Sequence, residues 1–357
     1  MTSRFLTAMR KATAVTRAFN PVGATRLIQA ALHRAGSNGS GMKTWTEAQG
    51  ARRIAVEAAK REALGDVAPE ARPISGDFTM RSFRCAAGAR DYKLFVPANG
   101  DAPKRGLIIM LHGCTQNPDD FAAGTGMNAV AERDGLIVAY PAQTRAHNAS
   151  SCWNWFQTGD QIRDKGEPAI LAGIARELMA EFGFVRDEVF IAGLSAGGAM
   201  AVIMAETYPD VFSAVGVHSG LPYQSASNVM TALTAMRGRA RSRPAALAST
   251  VSEPYPTRTI VFHGSADKTV HPSNAMGIVD DANSSETGAV PVTETGVING
   301  KRFTRMIIPG PDGKTMVENW TIDGAGHAWS GGSTAGTFAD PLGPDASSEI
   351  VRFFLAG

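Results

Sequence analysis

Residues 189–200 read V-F-I-A-G-L-S-A-G-G-A-M. The apolar run Val189-Phe190-Ile191-Ala192 has the length and composition of a buried strand, and a small-residue helical pattern follows Ser195. Between them stands Gly193-Leu194-Ser195-Ala196-Gly197, a G-x-S-x-G pattern in a strand–turn–helix context. Glycine on both sides lets the main chain approach itself closely, and the tight turn lifts the serine hydroxyl into the open. A serine hydroxyl is a weak nucleophile until a neighbouring base takes its proton, so this reading demands a histidine and an acid further along the chain.

The surrounding sequence places that turn in a layered fold. Apolar runs at 107–111 and 136–140 predict further buried strands, and 211–217 and 259–262 read as strands as well. Helical periodicity appears at 127–134, 167–182 and 347–355. Residues 78–85 and 90–96 read as two strands around Ala87-Gly88. Residues 303–308 and 315–322 flank Pro309-Gly310-Pro311-Asp312-Gly313, a hairpin signal. Strands alternating with helices predict an α/β fold with a mostly parallel central sheet covered by helices on both faces. Two segments break the rhythm: 221–256, with Arg237, Arg239, Arg241 and Arg243, is either a cap over the sheet edge or a solvated loop. The polar, glycine-rich stretch 277–301 reads as a surface excursion.

Ahead of this domain, expected over 76–357, the pattern predicts a helical hairpin over 1–36, a helical extension joined by a linker over 37–75. Arg4, Arg10, Lys11, Arg17, Arg26, Arg34 and Lys43 all precede the first acidic residue, Glu47. Such a start suits a solvated helical extension, an organelle transit peptide or a surface-binding helix. No apolar core of the length a secretory signal needs follows the first basic residues. A net charge of +2 asks for no polyanionic partner, so nucleic acid is not expected. No apolar run is long enough for a transmembrane segment. Three cysteines are too few for a disulfide scaffold.

The demanded partners are present in order. Asp267 lies in Phe262-His263-Gly264-Ser265-Ala266-Asp267, where a buried strand delivers a small-residue turn to the carboxyl edge of the sheet, the edge at which open α/β sheets place their sites. Its task would be to hold a histidine in one tautomer and stabilise its cation. His327 lies in Asp323-Gly324-Ala325-Gly326-His327-Ala328-Trp329, after the last long strand. His112, His263 and His271 compete for the role, but His112 precedes the nucleophile and His263 reads as structural. The order Ser195, Asp267, His327 is that of an α/β-hydrolase. An oxyanion hole needs two backbone N–H groups. Ala196 would supply one and Cys114, in His112-Gly113-Cys114-Thr115-Gln116, the other, with Thr115 in reserve.

Four motifs now carry a resemblance: His112-Gly113-Cys114-Thr115-Gln116-Asn117, Cys152-Trp153-Asn154-Trp155, Gly193-Leu194-Ser195-Ala196-Gly197-Gly198, and Gly326-His327-Ala328-Trp329-Ser330-Gly331-Gly332. Over about residues 76–357 the chain resembles the poly(3-hydroxybutyrate) depolymerase family of esterases, relatives of feruloyl and acetylxylan esterases. The resemblance implies an α/β-hydrolase fold, a triad at Ser195, Asp267 and His327, no metal and no cofactor. Many relatives are secreted, some with a polymer-binding domain; this chain shows neither that domain nor a signal, so the location stays open between cytoplasm and exterior. Cys114 and Cys152, both inside family motifs, are expected to lie close enough for a disulfide bracing the oxyanion loop, with two free thiols as the alternative. Cys85 reads as a small core residue.

Trp153, Trp155 and Trp329 are candidates for the wall of a substrate pocket, with core packing as the alternative, and Tyr223 is a further candidate contact. The expected partner is an ester substrate, first a hydroxyalkanoate polyester or its oligomers, cleaved through an acyl-enzyme. A feruloyl or acetylxylan ester is the alternative within the class. A peptidase, acyltransferase or thioesterase could use the same triad. From another class, the chain would be a polymer-granule or surface-binding protein working through its basic helices. Nothing in the pattern speaks to oligomeric state.

Overall fold

Runs of apolar residues with no polar alternation must be covered on both faces, and they form the middle of one ten-stranded sheet. The structure, a computed structural model, describes residues 75–98, 103–238, 257–283 and 290–356. The hairpin expected over 1–36, nearly all of the linker over 37–75, and Arg239, Arg241 and Arg243 lie outside the described residues. The first strands are β1 (Asp77–Cys85), β2 (Gly88–Val96) and β3 (Gly106–Leu111). Helices α1 (Pro118–Thr125) and α2 (Met127–Asp134) lead to β4 (Leu136–Pro141). Then come α3 (Gly166–Phe182), β5 (Val189–Leu194), α4 (Ala196–Thr207), β6 (Ala214–His218) and α5 (Val229–Met236). The chain continues through β7 (Arg258–Gly264), α6 (Ser273–Ala282), β8 (Val292–Ile298), β9 (Lys301–Pro309) and β10 (Thr315–Ile322). It ends with the short pair β11 (Trp329–Ser330) and β12 (Ala339–Asp340), then α7 (Ala346–Leu355).

The sheet order is β1-β2-β4-β3-β5-β6-β7-β10-β9-β8. From β4 to β10 all neighbours are parallel, while β1, β2, β9 and β8 are antiparallel additions at the two edges. Side chains alternate across the sheet. Leu107, Ile109 and Leu111 pack under α3, α4 and α6, while Ile108 and Met110 pack with α1, α2 and α7. The order reverses around β3, whose neighbours are β4 and β5, so the carboxyl ends of β3 and β5 open the crevice that this topology reserves for ligands.

Three expectations change. The described residues of the expected surface excursion over 277–301 instead include the end of α6 and the edge strand β8, paired to β9 from Val292 through Ile298. Val292 and Val297 are exposed, so β8 has no buried alternation to announce it. The strand expected over 211–217 starts only at Ala214, because Val211 and Phe212 close the turn after α4 by donating to Tyr208 O. Helix α1 was not expected, although Asn117-Pro118 carries its start: Asn117 Oδ1 accepts from Asp120 N, and Pro118 occupies the first helical position.

Candidate active site

Ser195 sits between β5 and α4 at φ 58°, ψ −117°, a conformation rare for a non-glycine residue. The neighbouring chain explains why two glycines surround it. A Cβ on Gly193 would lie 2.4 Å from the carbonyl carbon of Gly197, and a Cβ on Gly197 would lie 2.0 Å from Leu111 O. Only glycine lets the elbow pack against the end of β3. Ser195 N donates to His218 O at 2.9 Å, which seats the turn against the end of β6. Among the described residues no hydrogen bond engages the Ser195 hydroxyl, and the serine–imidazole bond of a working triad is not formed in this arrangement; such bonds often tighten only when substrate arrives.

Asp267 follows β7 in a tight turn. Its Oδ1 accepts from Thr269 N at 2.8 Å and Val270 N at 2.9 Å. Its Oδ2 accepts from His327 Nδ1 at 2.7 Å, and His263 Nε2 stands 3.4 Å away while donating to Val270 O at 2.9 Å. The carboxylate is fully buried, and burial alone would favour its neutral form, but the nearby His263 ring and the hydrogen bonds from His327 and the Val270 amide outweigh it and hold the carboxyl well below the usual range. An ionised Asp267 makes His327 Nδ1 the donor, which leaves Nε2 as the basic nitrogen. The His327 loop is fixed from below. Ser330 N donates to His218 Nε2 at 3.0 Å, and the His218 ring stacks on Trp329. His218 therefore anchors the histidine loop through its side chain and the serine turn through its carbonyl.

After β3 the loop His112-Gly113-Cys114-Thr115 meets the same edge. Thr115, at φ 68°, donates its N–H to Ser150 O at 2.8 Å, so the amide held in reserve is occupied. Among the described residues the N–H groups of Cys114 and Ala196 have no partner. Cys114 is bonded to Cys152, 38 residues on, with the Cα atoms 4.2 Å apart. Gly113 N donates to Gln116 Oε1, and Gln116 Nε2 donates to Asp120 Oδ2 and Thr337 O.

Behind the loop lies a buried polar network. His112 Nδ1 donates to Gly113 O, and its Nε2 accepts from Gln143 N. Gln143 Nε2 donates to Cys152 O at 2.8 Å and to Glu167 Oε1 at 2.5 Å, and Glu167 also accepts from both nitrogens of Asn154. The Arg90 guanidinium stands 3.5 Å from Glu167. The Cys152 end of the disulfide is thus held by Gln143, itself bonded to Glu167, while the residue before Cys114 is held by His112.

Burial sets the ionisation of this network. It lowers His112 to about 4 and His218 to about 3, the latter helped by His263 and His327. Burial, then repulsion from Asp160, raises Glu167 to about 7. Unfolding returns the histidines toward 6.5 and the glutamate toward 4.5. Between about pH 5 and 6.5 the unfolded chain binds more protons at two histidines and fewer at one glutamate. Acidification therefore lowers stability by the net of about one proton, on the order of 1 kcal/mol per pH unit. Glu167→Gln removes the opposing group and should nearly double that slope. Urea midpoints at the two pH values check this, and an unchanged slope would show that Glu167 does not carry the proton.

The tryptophans stand elsewhere than on an open wall. Trp153 and Trp329 are 0% and 1% exposed, with ring N–H groups bonded to His112 O and Ser347 Oγ, so they support the site from within the two cores. Trp155 is 6% exposed and packs edge-on to Phe156. Tyr223, half-buried, donates its hydroxyl to Gln161 O at 2.8 Å. Burial corrects the wall reading for Trp153 and Trp329. Sequence reasoning did not single out His218 as an anchor, nor Gln143 and Glu167. Strand-end position was the available signal for His218; the other two had none. Among the described residues, no group of three or more His, Cys, Asp or Glu side chains could hold a metal ion, and no helix is long and apolar enough to cross a membrane.

Residues 90–286, more than half of the chain, match the family described as Esterase PHB depolymerase. Poly(3-hydroxyalkanoate) depolymerase C of Paucimonas lemoignei is 34% identical over 65% of this chain and 56% of its own length. A probable acetylxylan esterase A of Aspergillus fumigatus is 28% identical over 51% of each chain. The chain thus spans little more than half the length of these curated relatives. Among solved structures, acetyl xylan esterase from Aspergillus awamori aligns over 78% of this chain and all of its own, at 19% identity and a TM-score of 0.62, a likeness of fold.

Proposed function

The chain belongs to the PHB depolymerase family of esterases, and from that premise we propose that it is a serine carboxylic-ester hydrolase acting on hydroxyalkanoate polyester or its oligomers. The observation that carries the mechanism is the 2.7 Å bond from His327 Nδ1 to a buried, ionised Asp267, on the sheet edge that also presents Ser195 at its elbow. Ser195 Oγ attacks the ester carbonyl as His327 Nε2 takes its proton. The carbonyl π-electrons move to oxygen, where the N–H groups of Cys114 and Ala196 receive the negative charge. The oxyanion collapses, the bond to the alcohol oxygen breaks, and His327 delivers its proton to that oxygen. Water, deprotonated by the same imidazole, then cleaves the acyl-enzyme.

Support for the polyester comes from the higher identity to the poly(3-hydroxyalkanoate) depolymerase than to the acetylxylan esterase. Two measurements on one purified sample test the reading. A fluorophosphonate should inactivate the protein and add its mass to the peptide containing Ser195; labelling at another residue removes the mechanism. Among 3-hydroxybutyrate oligomers, feruloyl esters and acetylated xylan, the oligomers should have the highest kcat/KM. Preference for either plant ester would replace the substrate while leaving the chemistry.

A further inference from the structure

Between β11 and β12 the chain makes a short excursion over residues 331–338, and its last residue is an aromatic with an unusual setting. Phe338 is 45% exposed, although large apolar side chains near a sheet edge normally gain by burial. Its backbone sits at φ 51°, a region that a bulky residue enters only when its surroundings impose it. The surroundings do so from both sides. Phe338 O accepts from Trp329 N at 2.7 Å, and Ala339 pairs with Trp329. The preceding Thr337 donates its N–H and hydroxyl to Asp120 at 2.9 and 2.6 Å, and its carbonyl accepts from Gln116 Nε2 at 3.0 Å. Ser333 N donates to Gly124 O, which fastens the start of the excursion to α1. The ring thus projects from a fixed base. Its centroid lies 6.4 Å from that of His327, with the planes 79° apart.

That position has a chemical meaning, which rests on the reading of His327 as the proton carrier. The imidazole that protonates the leaving oxygen must touch the alcohol half of the ester, so a side chain standing against that imidazole borders the alcohol half. We propose that Phe338 is the alcohol-side wall of the site and selects esters whose leaving alcohol carries an apolar branch beside the oxygen. A 3-hydroxyalkanoate unit is such an alcohol, being secondary and alkyl-substituted. The alcohol of an acetylated or feruloylated polysaccharide is a sugar, whose hydroxyl groups would lose water against the ring without gaining a partner. The fixed backbone spares binding the cost of ordering the segment that carries the ring.

The test varies one half of the ester at a time. Butyrate esters of methanol and 2-butanol change only the alcohol; methyl esters of acetic and hexanoic acid change only the acyl chain. Phe338→Ala should raise KM for the 2-butyl ester about 10-fold relative to the methyl ester, with kcat nearly unchanged, as expected for loss of one apolar contact surface. The acetyl-to-hexanoyl preference should stay within about twofold. Phe338→Leu, which keeps an apolar wall, should recover most of the discrimination. Should the alanine variant fail to fold, Phe338→Asn supplies the same comparison with a residue suited to positive φ. A uniform loss over all four esters would assign Phe338 a structural role and overturn the proposal, as would a shift confined to the acyl pair or no shift at all. If the unmodified protein hydrolyses neither these four nor 3-hydroxybutyrate oligomers, the ester-hydrolase reading itself fails; hydrolysis of the oligomers alone would overturn the proposal, since an apolar branch beside the leaving oxygen would then not be what is selected.

Discussion

Replacing Ser195 by alanine is expected to lower kcat by roughly 10⁵- to 10⁶-fold, the range seen when a triad nucleophile is removed. The remaining turnover over water would come from the oxyanion donors and binding alone. The protein itself should be little altered. The Ser195 hydroxyl engages no hydrogen bond among the described residues, and the backbone bonds to His218 and Ala199 do not involve the side chain. Alanine tolerates the elbow about as poorly as serine does, so the strain is unchanged. Thermal unfolding of the variant should therefore lie within a few degrees of the parent, and KM for a soluble ester within a few-fold. His327→Ala should reach a similar floor, and the double variant should fall little further, because the two groups act as one unit. Full hydrolysis by the alanine variant would leave the proposed chemistry without its nucleophile.

The second large effect is expected at Asp267. An amide in place of the carboxylate cannot hold the imidazole as Nδ1–H through a charged acceptor, and the rate should fall by about 10⁴-fold. Stability should change as well. Asp267 accepts from two backbone amides and His327, with His263 close by, and its folded pKa lies below its ordinary 3.8. The sign follows: the ionised carboxylate stabilises the fold above the ordinary carboxylate range, and that contribution fades as pH falls through and below it. The parent should exceed Asp267→Asn by about 2–3 kcal/mol at neutral pH, the scale of charge-assisted hydrogen bonds to a buried group. The gap should narrow in acid. Chemical unfolding of both proteins at neutral pH and near pH 3 measures it. A gap that grows in acid would mean that Asp267 is not the ionised member of the pair.

Much of this arrangement was legible in the chain, for identifiable reasons. The central strands declare themselves because a sheet covered on both faces forbids polar alternation, and 189–200 places the turn because its glycines have no steric substitute. The expected order of serine, acid and histidine rests on the α/β-hydrolase pattern, and each of the three residues follows a strand, β5, β7 and β10. What escaped depends on long-range neighbours. β8 is an edge strand with its valines in solvent, so nothing in its own pattern distinguishes it from a loop. The tryptophans sit beside the right motifs, but which way an indole faces is decided by partners such as Ser347 and His112 that lie far off in the chain. Phe338 belongs to a stretch of small and polar residues, and its nearness to His327 arises from bonds to Asp120 and Gln116 more than 200 positions upstream.

Gln116 joins two parts of the site that could otherwise drift apart. One amide group receives Gly113 N at the proposed oxyanion loop and reaches Thr337 O at the base of the exposed phenyl ring. On the proposed mechanism, displacing Thr337 would pull on Gln116 and through it on Gly113, and would disturb the oxyanion loop for every ester alike. On the proposal made for Phe338, exchanging the ring at position 338 on an unmoved backbone would therefore change substrate preference with less disturbance to the rest of the site than reshaping residues 331–338.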